Sequence, residues 1–265
     1  MADHRNKDAQ APLDAPVRRL SAAPRVRDGD TGPSSVAGVD QALFVKLREA
    51  ALSADREACV EVMKDALHGG LRPEDMADLY IPALARDMGQ DWCEDQLGFA
   101  QVTIGVSRLQ SMLRDLGPAW SADSVAHPAA PAIMLVVPEQ AHHTLGAMVL
   151  AGQLRRKGLS VRLVLGMRRT ELVKLVELAS FDAVFISASC GERLETLRRI
   201  VDVIGVAASR RPPVVIGGSI LDVEDKENVT ALTGADYATG CPDEALRLCG
   251  LIERMHDDAL MKRGV

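Results

Sequence analysis

Ala132-Ile133-Met134-Leu135-Val136-Val137, followed by Pro138-Glu139-Gln140-Ala141-His142-His143-Thr144-Leu145-Gly146, decides the fold. The first six residues are an unbroken apolar run, the pattern of a strand buried on both faces. Beyond the turn, Leu145, Met148, Val149 and Leu154 recur at the spacing of one helix face, predicting a helix over 144–157. A pair of histidines therefore sits where a strand hands over to a helix. In an open α/β sheet such turns lie at the carboxyl edge of the strands, where ligands bind. A neutral imidazole there can bind a metal through one nitrogen while the protein orients the other.

Downstream, the strand–helix alternation continues. Strand 161–165 leads to a helix over 170–178 with Thr170 as N-cap, and strand 183–187 to a helix over 192–207. Strand 214–216 ends in Gly217-Gly218 and precedes a short helix over 226–232. A last short strand lies within 234–238, and Pro242 opens a closing helix expected to reach Met255. Five strands with crossover helices imply a flavodoxin-like, Rossmann-type doubly wound parallel sheet occupying 132–256, with a tail at 257–265.

Upstream, residues 39–117 read as a four-helix bundle. Leu43, Val45, Leu47, Ala50 and Leu52 mark the first helix. Ser53 is the expected cap of the second, which stops at His68-Gly69-Gly70. Pro73 opens a third that runs to Gly89, where Pro82 permits a kink or a break, and the fourth covers 99–116. Residues 118–131, with three prolines, read as a linker, and residues 1–38 as a disordered arm whose arginines either dock on an acidic partner or stay solvated.

Composition narrows the function. The 265 residues are 47% hydrophobic and 26% charged, ample for a sizeable core. No apolar run suits a membrane span, and the polar start at Met1-Ala2-Asp3 lacks a signal-peptide core, so a cytoplasmic location is expected. A formal charge of −6 argues against gripping DNA directly, and 3% aromatics leave no stacking platform for single strands. The five cysteines show no CxxC spacing and read as reduced thiols. No GxGxxG follows the first strand and no GxxxxGKS/T occurs, which disfavours ordinary dinucleotide and nucleotide triphosphate sites. Gly217-Gly218 serves either close approach to a ligand or turn geometry alone.

Taken together, these motifs carry a resemblance. His143-Thr144-Leu145-Gly146 is similar to the HxxG part of the DxHxxG motif of cobalamin-binding domains. Ser187-Ala188-Ser189 stands where that family has its SxL or SxT element, and Gly217-Gly218 where it has its GG. The bundle, with Gly89-Gln90-Asp91-Trp92 ending one of its loops, resembles the helical cap of those proteins. The resemblance implies that His143 is the lower axial ligand to cobalt, displacing the cofactor's own dimethylbenzimidazole. It implies that His142, Gly146, Ser187, Ser189, Gly217 and Gly218 line the cofactor site, with Trp92 near the upper face of the corrin. Two positions depart from the pattern. Ala141 replaces the motif's aspartate, and Val102-Thr103 replace the Glu-His pair of adenosylcobalamin light sensors, which favours hydroxo- or aquocobalamin.

Within the superfamily the chain most resembles the PpaA/AerR antirepressors of photosynthesis genes, which hold cobalamin or haem and act on a repressor of the PpsR/CrtJ type. That resemblance implies a regulator without catalytic machinery of its own. Two other readings stay open: a corrinoid protein that carries methyl groups for methyltransferases, and a haem sensor using His142 or His143 with Cys241.

Overall fold

Residues 38–117, 120, 130–139 and 144–252 are described by the computed structural model. The arm up to residue 37, most of the linker, the tail and the pair His142-His143 lie outside the described residues.

The helical layer begins with α1 (Gln41–Leu52), whose N-cap Asp40 accepts from the Leu43 N–H at 2.8 Å. Ser53 does not cap the next helix. Its N–H and hydroxyl both donate to the Ala50 carbonyl, so it closes α1 instead. Arg108 adds bonds to the carbonyls of Ala51 and Ser53 at 2.8 and 2.7 Å, satisfying acceptors that a helix end leaves open. α2 (Ala58–His68) ends at the expected glycines, with Gly70 at φ +100°.

The third rod is longer than its sequence suggested. α3 (Pro73–Asp75), a π turn (Met76–Tyr80) and α4 (Ile81–Cys93) follow one another without a gap. Pro82 lacks an N–H and its ring crowds the carbonyl four residues back. The wider π turn immediately before it relieves both problems, so the rod does not break. It also runs past Gly89, which makes Gln90, Asp91 and Trp92 helical rather than part of a loop. Arg48 of α1 fastens this end through Asp87, at 2.6 Å, and Asp91. α5 (Phe99–Leu116) has the expected bounds.

The second half alternates as expected: β1 (Ala132–Val137), α6 (Leu145–Arg156), β2 (Ser160–Leu165), α7 (Arg169–Leu178), β3 (Ala183–Ser187), α8 (Leu194–Ala207), β4 (Val214–Gly217), α9 (Lys226–Thr233), β5 (Tyr237–Ala238) and α10 (Pro242–Leu248). The sheet order is β2-β1-β3-β4-β5, all parallel, the flavodoxin-like arrangement. Two carboxylates set its lower edge. Asp182, just ahead of β3, accepts from the first N–H of β1 at 2.7 Å, and Asp236, just ahead of β5, does the same for β4 at 2.8 Å. Local boundaries differ in three places. Thr170 lies inside α7, where Glu171 accepts from the Arg168 N–H; α8 starts at Leu194; and α10 stops at Leu248, before Gly250 at φ +66°.

α6 joins the two halves. Ala147, Ala151 and Leu154 pack on the sheet, while Leu145, Met148 and Val149 belong to the core that fills the bundle. A helix apolar on both sides is a buried helix, and this one is shared. The presumed linker also contributes to that core. Trp120 is only 5% exposed, and an added Cβ on Gly152 of α6 would sit 2.3 Å from its Cδ1. Arg156 stacks over the same ring at 4.7 Å and pairs with Asp78 of the π turn.

Cys249, at the end of α10, is half-buried against the sheet, and burial pushes its thiol up to about 11. Only the thiolate alkylates, and at pH 8 about one part in a thousand of such a thiol is ionised. Iodoacetamide at pH 8, followed by peptide mass spectrometry, is expected to label the exposed Cys93, Cys190 and Cys241 first. Cys249 labelling should then rise as pH climbs towards 11. Equal rates for Cys249 and Cys241 at pH 8 would contradict this placement.

Candidate functional site

At the carboxyl edge, the ends of β3, β4 and β5 are tied together by backbone. The Ala188 N–H donates to the Gly217 carbonyl at 2.8 Å, and the Ala188 carbonyl accepts from the Ile220 N–H at 3.2 Å. The Thr239 N–H donates to the Ile216 carbonyl at 3.0 Å. This close approach explains the glycine pair. A Cβ on Gly217 would lie 2.5 Å from the Thr239 carbonyl oxygen, and one on Gly218, at φ +102°, 2.3 Å from that of Ala188. Only glycine meets both conditions.

Beside this edge a cleft of about 470 Å³ runs along the face of the sheet. Leu135, Phe185 and Val215 form its apolar floor; Gly146, Val149, Leu150 and Gln153 of α6 form one wall. Thr239 to Pro242 and Ala245 of α10 form another, and Asp78, Pro82 and Arg86 bring in the bundle. Ser187, Gly217 and Gly218 close the end at the strand tips. Gly146 differs from the glycine pair: a Cβ there would meet nothing within 4 Å. Packing does not require glycine at that point, and its bareness leaves the cleft open.

Four of the sequence-predicted residues, Gly146, Ser187, Gly217 and Gly218, thus share one cleft. Ser189 is half-buried past the tip of β3 and does not line it; its carbonyl accepts from the Glu192 N–H at 3.0 Å. Trp92 stands in the last turn of α4, 47% exposed and outside the lining, so it is not a core tryptophan. Phe99 and Ile104 of α5 are also exposed. His142 and His143 lie outside the described residues, but the next residue is anchored. Gln110 of α5 donates to the Thr144 hydroxyl at 2.8 Å, fixing the start of α6 to the bundle.

Cys241, read from the sequence as a candidate haem ligand, lines the cleft and is exposed, with its N–H donating to the Thr239 hydroxyl at 3.1 Å, a bond the sequence did not announce. That hydroxyl in turn donates to Glu244, and this bond, with Lys226 nearby, holds the Glu244 carboxyl below its usual range. The bundle wall around Asp78 and Arg86 was also missed, because a polar residue on an amphipathic helix looks like solvated surface. Among the described residues no group of three or more His, Cys, Asp or Glu side chains suits a metal ion.

A parallel sheet in this order, a cleft lined by Gly146, Ser187, Gly217 and Gly218, and a helical cap define the class. Residues 131–247 match the family model of the B12-binding domain. The chain belongs to the same family as the "Uncharacterized 20.5 kDa protein in bchF-crtJ intergenic region" of Rhodobacter capsulatus, being 40% identical over 166 residues that cover 63% of this chain and 85% of that one. Among solved structures it is similar to the Methanosarcina barkeri monomethylamine corrinoid protein, with TM-score 0.59 and 18% identity over 79% of this chain and 98% of that one. A cobalamin-binding protein from Desulfitobacterium hafniense is also similar, with TM-score 0.41 and 20% identity over 80% of this chain and 98% of that one.

Proposed function

We propose that the protein binds cobalamin and acts as a regulator, an antirepressor that binds a PpsR/CrtJ-type repressor, rather than as an enzyme. The observation that carries the cofactor reading is the cleft at the strand tips, opened at Gly146 and floored by apolar side chains, within a B12-binding domain. Its apolar floor fits the flat dimethylbenzimidazole base of a cobalamin's nucleotide tail, and its polar rim fits the ribose and phosphate attached to that base. Ser187 supplies a hydroxyl, and Gly217 and Gly218 keep the backbone bare. His143 would hold the cobalt, and bound cobalamin would supply a metal whose other ligand can exchange, in the dark or under light.

The chain's own part is to convert that exchange into movement. α6 is packed between sheet and bundle, and the Thr144–Gln110 hydrogen bond ties the residue after His143 to α5. A shift of the histidine loop therefore pulls on the bundle, a two-part element of the kind that switches. The repressor reading is supported by the Rhodobacter relative, whose name places it beside crtJ.

Haem is the second reading, favoured by one observation: Cys241 lines the same cleft. The test is an absorption spectrum of the purified protein after desalting from hydroxocobalamin, in light and dark, and separately from haemin. Retained and shifted corrin bands are expected, with no methyl accepted from a methylcobalamin-dependent methyltransferase. Retention of haemin alone would replace cobalamin with haem, and rapid methyl exchange would replace the regulator with a carrier.

A further inference from the structure

We infer that the groove between α7 and α8, on the face of the sheet away from the cofactor cleft, is the docking site for an acidic, apolar segment of the partner protein. The inference rests on the repressor reading above and deepens it. At the upper end of the groove is a second cleft of about 250 Å³. Its floor is apolar, formed by Val136 and Val137 of β1 with Leu172, Ile200 and Val203. Arg169 and Arg199 stand on its rim, both exposed.

These two arginines differ from their neighbours. Arg168 pairs with Glu171 at 2.5 Å, Arg193 with Glu195 at 3.8 Å and Arg198 with Asp202 at 3.9 Å. Among the described residues no ion pair engages Arg169 or Arg199, in a chain whose formal charge is −6. Glu139 shares the rim, but its charge acts on Arg168. The stripe Thr196, Arg199, Ile200, Val203 and Val206 follows helix spacing along α8, and Val206 is 88% exposed. The groove thus offers two unpaired guanidinium forks above an apolar trough. That chemistry fits carboxylates flanking a bulky apolar side chain. The floor residues Val136 and Val137 lead directly into the loop carrying His142-His143, so an occupant of the groove rests on the strand that presents them.

The test measures binding of a purified PpsR/CrtJ-type repressor to the full chain and to Arg169→Glu/Arg199→Glu, with sedimentation and hydroxocobalamin retention recorded for both. The proposal expects the double variant to bind the repressor at least ~10-fold more weakly while retaining cobalamin like the wild type. Equal binding by both proteins overturns the groove and leaves the repressor reading standing. No binding by the wild type overturns the repressor reading and the groove with it. A dimer that dissociates only in the variant assigns the groove to a second copy of the chain and overturns the proposal.

Discussion

Replacing Gly218 by alanine is expected to cost roughly 3 kcal/mol or more and to abolish corrinoid retention in the same step. Two penalties combine there. A side chain at φ +102° is strained, and its Cβ would stand 2.3 Å from the Ala188 carbonyl oxygen. That oxygen cannot swing aside, because Ala188 is bonded on both sides, to Gly217 and to Ile220. The tips of β3 and β4 must part, and they form the end of the cofactor cleft. Gly158→Ala is the control. Its φ is +89° but an added Cβ meets nothing within 4 Å, so only the conformational cost of about 1 kcal/mol applies. Urea denaturation of the two variants, with corrin spectra after desalting, separates the terms. Equal stability would show that the strand tips can part freely.

The second large effect is at Trp120. Truncation to alanine should cost about 3–5 kcal/mol, the range for a buried aromatic in a well-packed site. The ring fills the notch left by Gly152 and lies under Arg156, so its loss exposes the shared flank of α6 and bundle. A double-mutant cycle tests the fit itself. Gly152→Ala alone should destabilise, because its Cβ has no room beside the indole. In the Trp120→Ala background the same change should be neutral or stabilising, since the methyl enters the space vacated. Additive effects across the cycle would mean that Trp120 and Gly152 do not share a boundary.

Much of this architecture was legible because the decisive signals are local. The apolar run Ala132–Val137 is strand-length and bounded by prolines, and its neighbours alternate with helix-length segments closed by glycine or opened by proline. The cleft end was legible for another reason: Ser187, Gly217 and Gly218 sit at strand tips and Gly146 in the first turn of the helix after β1, and parallel topology brings such positions together. What escaped was long-range. Trp120 lies in a proline-rich stretch, and nothing in the sequence announces that Gly152, on another element, leaves space for it. Ser53 has the chemistry of a cap at either helix end, and the nearby Arg108, far away in sequence, is what occupies α1's carbonyls. At Pro82 a kink or a break stayed open because the compensating π turn is a feature of hydrogen-bond register, invisible to periodicity. Trp92 was placed at a loop end because Gly89 read as the stop of that helix, and a tryptophan there and one on the exposed last turn of a continued helix look alike in sequence.

The central claim is that the histidine loop and the cleft together hold a corrinoid through His143. It is tested most directly by titrating wild type, His142→Ala and His143→Ala with hydroxocobalamin and following the cobalt-sensitive corrin bands. The expected result is a shifted spectrum that survives desalting in the wild type and in His142→Ala, and is lost in His143→Ala. An unchanged shift in His143→Ala would contradict the claim and remove that histidine from the cobalt.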